Sequence, residues 1–461
     1  MNDRRRRHRT SLAAVAVLCT AGVVGGLIPG SAQAAPGAHE RTYRTAGPRI
    51  SGGESSDNAA SLAAGGPRVD SIGNGETRFY SVDLDASSTA YVSAVAIPPP
   101  GSGIDAYKDE IRITLTRLDG GRCDAALAGA DADDVAHPFG TAVVRQPGSG
   151  TSARCGDAGR HLVKVERPST PTPRAQRWTL EVRHMREPAV KGGPTEQPPK
   201  GSWSSQAPLP TTETPRPRPG GTGFNDATAL SPGAWKDTVE PGQTRFFKVP
   251  VDWGQQLLTS IEVPSPAGST GKPTGSAGFL SDALGATLYN PGRALLATNH
   301  FISYKGDQNG SRIGTAPLAY ANRAAHSQAA VRAASVAGWY YVAVSISPEM
   351  ERYFKDGVPV TVRVHLKGTP RPGPRYDGSA TAGGFGVGKD DERAARRGQS
   401  AAEVRQSDQL RAVAYGGFAL GTALLAGLGA WKLTARRRAA SPGASSAAGG
   451  GPPGGGSHSG W

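Results

Sequence analysis

Two stretches of this 461-residue chain carry the same landmarks in the same order, and that repetition constrains the fold more than any other feature. Gly52-Gly53 precedes Asn58-Ala59 and Leu62, and Gly220-Gly221 precedes Asp226-Ala227 and Leu230. Next, Gly75-Glu76-Thr77-Arg78-Phe79-Tyr80-Ser81-Val82 matches Gly242-Gln243-Thr244-Arg245-Phe246-Phe247-Lys248-Val249. Late in each block, Gly159 to Val165 matches Gly338 to Val344. Each block closes on an alternating run, Trp178 to Val182 and Val360 to Val364. A duplicated domain follows, with Gly75, Thr77 and Phe79 in the first copy answering to Gly242, Thr244 and Phe246 in the second.

Period-two alternation at these landmarks, at Tyr91 to Ile97, Ile111 to Leu115 and Leu257 to Val263, reads as short strands punctuated by Gly and Pro. The fold class expected is mainly β: two tandem antiparallel β-sandwich domains, jelly-roll-like, over residues 52–184 and 220–367. Residues 185–219 are rich in Pro, Gly and Thr and read as a linker. Residues 368–410 read as a stalk, because proline favours extended geometry that holds its ends apart. Ala324 to Ala334 reads either as a short helix or as an alanine-rich loop.

The ends of the chain predict its topology. Arg4 to Arg7 and Arg9, the apolar run Leu12 to Leu27 and Ala32-Gln33-Ala34 are the three parts of a secretory signal peptide over residues 1–34. Cleavage would fall between Ala34 and Ala35; the competing reading is an uncleaved anchor. At the other end, residues 412–431 carry no charge and would rise about 30 Å as a helix, enough to cross a bilayer. Lys432 and Arg436 to Arg438 follow and mark the cytoplasmic side, which leaves 432–461 as a low-complexity cytoplasmic tail. Gly417 and Gly421 form a GxxxG pattern, which can bring two such helices together as a homodimer.

The formal charge of +14 overstates how basic the exterior is. Five arginines and one acid leave with the signal, and four basic residues lie from Ala412 onward, so about +6 remains outside. Spread thinly and without interleaved aromatics, it is no nucleic-acid footprint. Cys19 leaves with the signal, so Cys123 and Cys155 are two thiols in an exported chain and read as one disulfide. In the chain-entropy model, closing that loop would stabilise by about 3 to 4 kcal/mol.

The Gly-x-Thr-x-[Phe/Tyr] strand, the strand at Leu257 to Val263 and the late Gly-x-Tyr-x-Val-x-Val strand together resemble the bacterial pre-peptidase C-terminal domain. That family is a small β-sandwich appended to secreted enzymes and surface proteins. The resemblance covers both blocks and is better in the second. An Asp-x-Asp-Leu-like strand usual in the family is missing, with Ala286 to Asn290 the nearest match, so calcium binding is not carried over. The remainder is similar to actinobacterial-type single-pass membrane proteins.

No catalytic or metal motif stands out: there is no His-Glu-x-x-His and no Gly-x-Ser-x-Gly. His39, His137, His161, His184, His300, His326 and His365 are scattered, and Asp131, Asp133 and Asp134 read as a solvated loop. Arg78 and Arg245, equivalent in the repeat, read as partners of acids on an exposed face. The function expected is a non-catalytic binding or scaffolding protein of the cell envelope, without cofactor. Its partners would be membrane lipid and an envelope protein or cell-wall polymer. The competing classes are a membrane-anchored peptidase and an accessory subunit of a membrane complex. Two sandwiches joined by a Pro-rich linker are expected to couple weakly.

Overall fold

The computed structural model describes residues 43–130, 134–147, 155–168, 176–192, 203, 213–266, 278–325, 327–399 and 421–436. The predicted signal peptide, the cleavage site at Ala34 and Ala35, Gly417, His39, His326, Asp131, Asp133 and most of the predicted linker lie outside these residues.

The chain is mainly β. Its first half contains β1 (Ala60–Ser61), β2 (Arg68–Ile72), β3 (Thr77–Leu84), β4 (Thr89–Ile97), β5 (Glu110–Arg117), β6 (Arg122–Gly129), β7 (Phe139–Arg145), β8 (Gly159–Glu166) and β9 (Trp178–Glu187). They form two sheets, ordered β1-β3-β8-β5-β6 and β2-β9-β4-β7. The second half opens with β10 (Arg216–Pro217), β11 (Thr228–Ala229), β12 (Gly233–Val239), β13 (Thr244–Val251) and β14 (Gln256–Val263). It continues with β15 (Leu280–Tyr289), β16 (Leu295–Tyr304), β17 (Asn309–Gly314), β18 (Gly338–Ile346) and β19 (Val358–Lys367). Its sheets run β11-β13-β18-β15-β16 and β10-β12-β19-β14-β17. Apart from the short β10, the strand order of the two halves is identical.

The landmarks now have physical reasons. Gly75 and Gly242 adopt φ of 69° and 83° in the turns before β3 and β13, a conformation open to glycine and costly for residues with a Cβ. Gly53 and Gly221 bridge to Phe79 and Phe246, and a Cβ on either would lie within 2.4 Å of the carbonyl oxygen of Asn58 or Asp226. Inward-facing Tyr80, Val82, Ile113, Val163, Val92 and Val182 fill one core shared by both sheets of the first half. Phe247, Val249, Leu288, Val342, Ile261 and Val362 do the same in the second. Cys123 on β6 and Cys155 are joined as a disulfide, with Cα atoms 5.6 Å apart. The adjoining turn is held by buried Arg145, whose guanidinium donates to the carbonyls of Ser88, Cys155, Gly156 and Asp157.

One reading left open is resolved and two expectations need correction. The ambiguous alanine-rich stretch is a 3-10 turn, Tyr320–Ala324, followed by a short helix, α1 (Ala329–Ala333). Residues 368–399 of the predicted stalk do not extend away. Phe385 is fully buried, and α2 (Lys389–Arg397) packs on β11 and β13 with Ala394 and Ala395 buried. Proline content suggested an extended spacer, but Tyr376, Phe385 and the amphipathic α2 supply the apolar surface that draws this strap back. Finally, the Arg78–Glu76 pair is partly exposed whereas Arg245 and Asp237 are both buried, so the equivalent arginines do not share an exposed role.

Among the described residues no helix is long and apolar enough to cross a membrane. Residues 421–436, including Gly421, are helical and expose Leu424, Leu425, Leu428, Trp431 and Leu433. The remainder of the predicted span, 412–420, lies outside the described residues.

Candidate functional site

The two halves meet through faces that the sequence has altered in opposite ways. In the first half, the outward side of the β1-β3-β8-β5-β6 sheet carries Leu162, Lys164, Glu166, Arg112 and Thr116. The positions that match them in register in the second half carry Tyr341, Ala343, Ser345, Gly285 and Tyr289. Charges have given way to small and aromatic groups, and this is the face that docks. Phe246, Tyr289, Ala343 and Phe224 pack there against Val95 of β4 and Tyr43. Phe79, the counterpart of Phe246, is left partly exposed on the free face of the first half.

The opposing face, the outside of the β2-β9-β4-β7 sheet, presents Tyr91, Val95, Glu181, Met185 and Glu187. Their register equivalents in the second half are Leu258, Glu262, Thr361, His365 and Lys367, of which His365 and Lys367 are exposed. Two buried ion pairs cross this junction. Glu181 and Arg293 meet at 2.5 Å with both side chains excluded from water. Glu181 also accepts hydrogen bonds from Tyr43 Oη, Ala46 N–H and Asn225 Nδ2, and Arg293 donates to Asn225 Oδ1. Burial opposes the Arg293 charge most strongly, yet the Glu181 carboxylate together with Tyr43 and Tyr341 more than offsets it and holds the guanidinium pKa above its ordinary value. Arg293 adopts a φ of 64°, so its backbone takes a costly conformation in reaching Glu181.

The second pair is Glu187 with Arg323, also at 2.5 Å. Tyr91 and the strap residue Tyr376 donate to Glu187, and Arg323 donates to Thr89 Oγ1. The strap seals the junction. Phe385 packs against Tyr91 with ring centroids 5.2 Å apart, beside Met185 and Val336. Trp339 Nε1 donates to Asp391 of α2 at 2.9 Å. The expectation of weakly coupled halves is therefore corrected: apolar faces, two ion pairs and the strap join them.

Beside this seam lies a groove of about 280 Å³, walled by β6 and β7 on one side and by α1 and the β15–β16 turn on the other. Cys123, Asp124, Leu127, Gln146, Arg332 and Ser335 line it. Asp124 Oδ2 accepts from Val144 N–H at 2.7 Å; burial raises its pKa, opposed by that bond and by the Arg332 charge.

The scattered histidines are not brought together as one site. His300 and His365 are exposed on β16 and β19, and His137 makes edge-on contacts with Phe139 and Phe301. His161 and His184 are buried, each with Nε2 unpartnered among the described residues. Among those residues no three His, Cys, Asp or Glu are grouped to hold a metal ion. Burial lowers the pKa of both His161 and His184. The unfolded chain takes up protons below about 6.5 while the fold resists them, so their contribution is full above that pH and falls away as the solution is acidified. His184→Val, which installs the residue found at the equivalent Val364, is expected to reduce the loss of urea midpoint between pH 7 and pH 5. An unchanged loss would show that His184 does not titrate with folding.

No protein-family model matches the chain, and no curated protein matches it in sequence. Among solved structures, the ANXUR2 extracellular domain of Arabidopsis thaliana is 7% identical, over 68% of this chain and 86% of that one, with a TM-score of 0.17. The CUB1-EGF-CUB2 domain of human MASP-1/3 is 6% identical, over 64% and 99%, with a TM-score of 0.15. Tripeptidyl peptidase 2 is 8% identical, over 67% of this chain and 24% of that one, with a TM-score of 0.19. Likenesses this slight carry no argument about fold or function.

Proposed function

We propose that this chain is an envelope protein whose rigid, non-catalytic head binds or scaffolds at the cell surface and is held to the membrane by one C-terminal helix. In this reading residues 1–34 direct export, two tandem β-sandwiches of the pre-peptidase C-terminal type form the head, and residues 432–461 remain inside. The observation that carries it is the helix at 421–436, where Leu424, Leu425, Leu428, Trp431 and Leu433 remain uncovered. Its described length rises only about 24 Å, and the nine uncharged residues before it would complete the span. Lys432 and Arg436 then sit where the cytoplasmic headgroups would be. A disulfide in the head agrees with an oxidising exterior.

The full chain is expected to stay in the membrane fraction through alkaline carbonate extraction. Deleting 412–438 is expected to move the head into the soluble exported fraction. Extraction of the full chain by carbonate, or retention of the deleted form, would overturn the anchor.

A further inference from the structure

The groove beside the seam contains polar groups that the fold does not use. Ser335 is 4% exposed, and its hydroxyl has no hydrogen-bond partner among the described residues. The Gln146 carboxamide likewise makes no hydrogen bond there. Arg332, partly buried on α1, forms no hydrogen bond or salt bridge among the described residues, although its charge acts on Asp124. Ser335, Gln146 and Arg332 line one concavity with polar atoms that are not sealed from solvent, so a ligand entering it can engage them. The walls between them are short: Ala125, Ala142, Ala294 and Ala329. At about 280 Å³ the space lies just below the size at which drug-like molecules bind, about 300 to 1,000 Å³.

We propose that this groove binds a small zwitterion with short side chains, a free dipeptide of the alanyl-alanine kind. Its carboxylate would meet Arg332 and the Ser335 hydroxyl, and its ammonium would meet Asp124. An anion alone would be repelled by Asp124, and a cation alone by Arg332; a molecule carrying both charges satisfies each. The alanine walls favour methyl groups and refuse aromatic ones. Burial raises the Asp124 pKa, and an ammonium beside it would restore the ionised form, so binding is expected to release a proton where Asp124 is still partly protonated. The inference deepens the binding role proposed above, and it stands independently of the membrane anchor because the groove lies wholly in the head.

The test is calorimetric titration of the full chain in detergent with alanyl-alanine in its L,L and D,D forms. Alanyl-alanine amide, acetyl-alanyl-alanine and phenylalanyl-phenylalanine are the comparison ligands. One hand of the free dipeptide is expected to bind saturably at one site per chain, with the other three weaker by tenfold or more. Arg332→Gln is expected to weaken binding at least tenfold and Ser335→Ala about threefold. Ala329→Phe, at an exposed position on the groove wall, is expected to abolish it. All three should leave the melting temperature within a few degrees of wild type. Absence of saturable heat with both hands would overturn the proposal. Equal affinity for the amide, or unchanged affinity in Arg332→Gln, would also overturn it. Release of the full chain by carbonate would bear only on the anchor.

Discussion

Replacing Arg293 by alanine is expected to destabilise the protein by about 3 to 5 kcal/mol, because it strands a carboxylate where water cannot reach. Glu181 is fully buried, and among its partners Arg293 is the cation. The remaining donors, Tyr43, Ala46 N–H and Asn225, cannot neutralise it. Chemical denaturation followed at Trp178 of the first half, with hydrogen exchange in β13 and β18 of the second, reports both sides of the junction. In wild type the two should unfold together; in Arg293→Ala the midpoint should fall and the two should separate. The double change Glu181→Leu with Arg293→Met is expected to recover most of the loss, since an apolar pair carries no desolvation cost. A loss below about 1 kcal/mol in Arg293→Ala would mean that the pair does not hold the halves together.

Phe385→Ala should release the strap. Truncating a buried phenylalanine costs about 3 to 5 kcal/mol. Even the lower figure opens the strap about a hundredfold more often. Tryptic cleavage at Arg375, Lys389 and Arg393 should therefore be slow in wild type and faster by about that factor in the variant, while the two cores stay resistant. Equal cleavage rates in the two proteins would exclude a latched strap and restore the extended stalk.

The repeat was readable in the sequence because backbone demands leave few choices. Gly75 and Gly242 sit at positive φ, Gly53 and Gly221 touch a neighbouring carbonyl, and both requirements select glycine at fixed distances from a strand. Strand alternation was readable for the same kind of reason, since each core admits one face only. The disulfide was legible in the cysteine count, read together with the expectation of export. The junction was not read, although its signal was present in the comparison of the copies. Lys164 against Ala343 and Glu166 against Ser345 mark one face as solvated and the other as covered. Glu181 and Glu187 carry no such signal, because an alternating strand with acids at every third outward position looks like a wet surface. Only the arrival of Arg293 and Arg323 from far along the chain makes them buried. The strap failed on composition: counting proline concealed the two aromatics that anchor it.

Docking one copy's four-stranded sheet onto the other copy's β11-β13-β18-β15-β16 sheet uses two different surfaces, so the join is head-to-tail and not two-fold symmetric. A join of that kind does not close on itself. Each end still offers the surface that a further copy would need: the outside of β1-β3-β8-β5-β6 at one pole and of β10-β12-β19-β14-β17 at the other. The two poles differ from the buried seam in their chemistry. Lys164 pairs with Glu166 and Arg112 is exposed on the first, while Glu262 pairs with Arg363 on the second, beside exposed Lys236 and His365. These charges act as the polar caps of a two-unit array, as terminal units do in solenoids. Neutralising one pole would leave the opposite one still capped. Giving both poles the residues of the buried seam would turn a finite particle into a monomer for open-ended filaments.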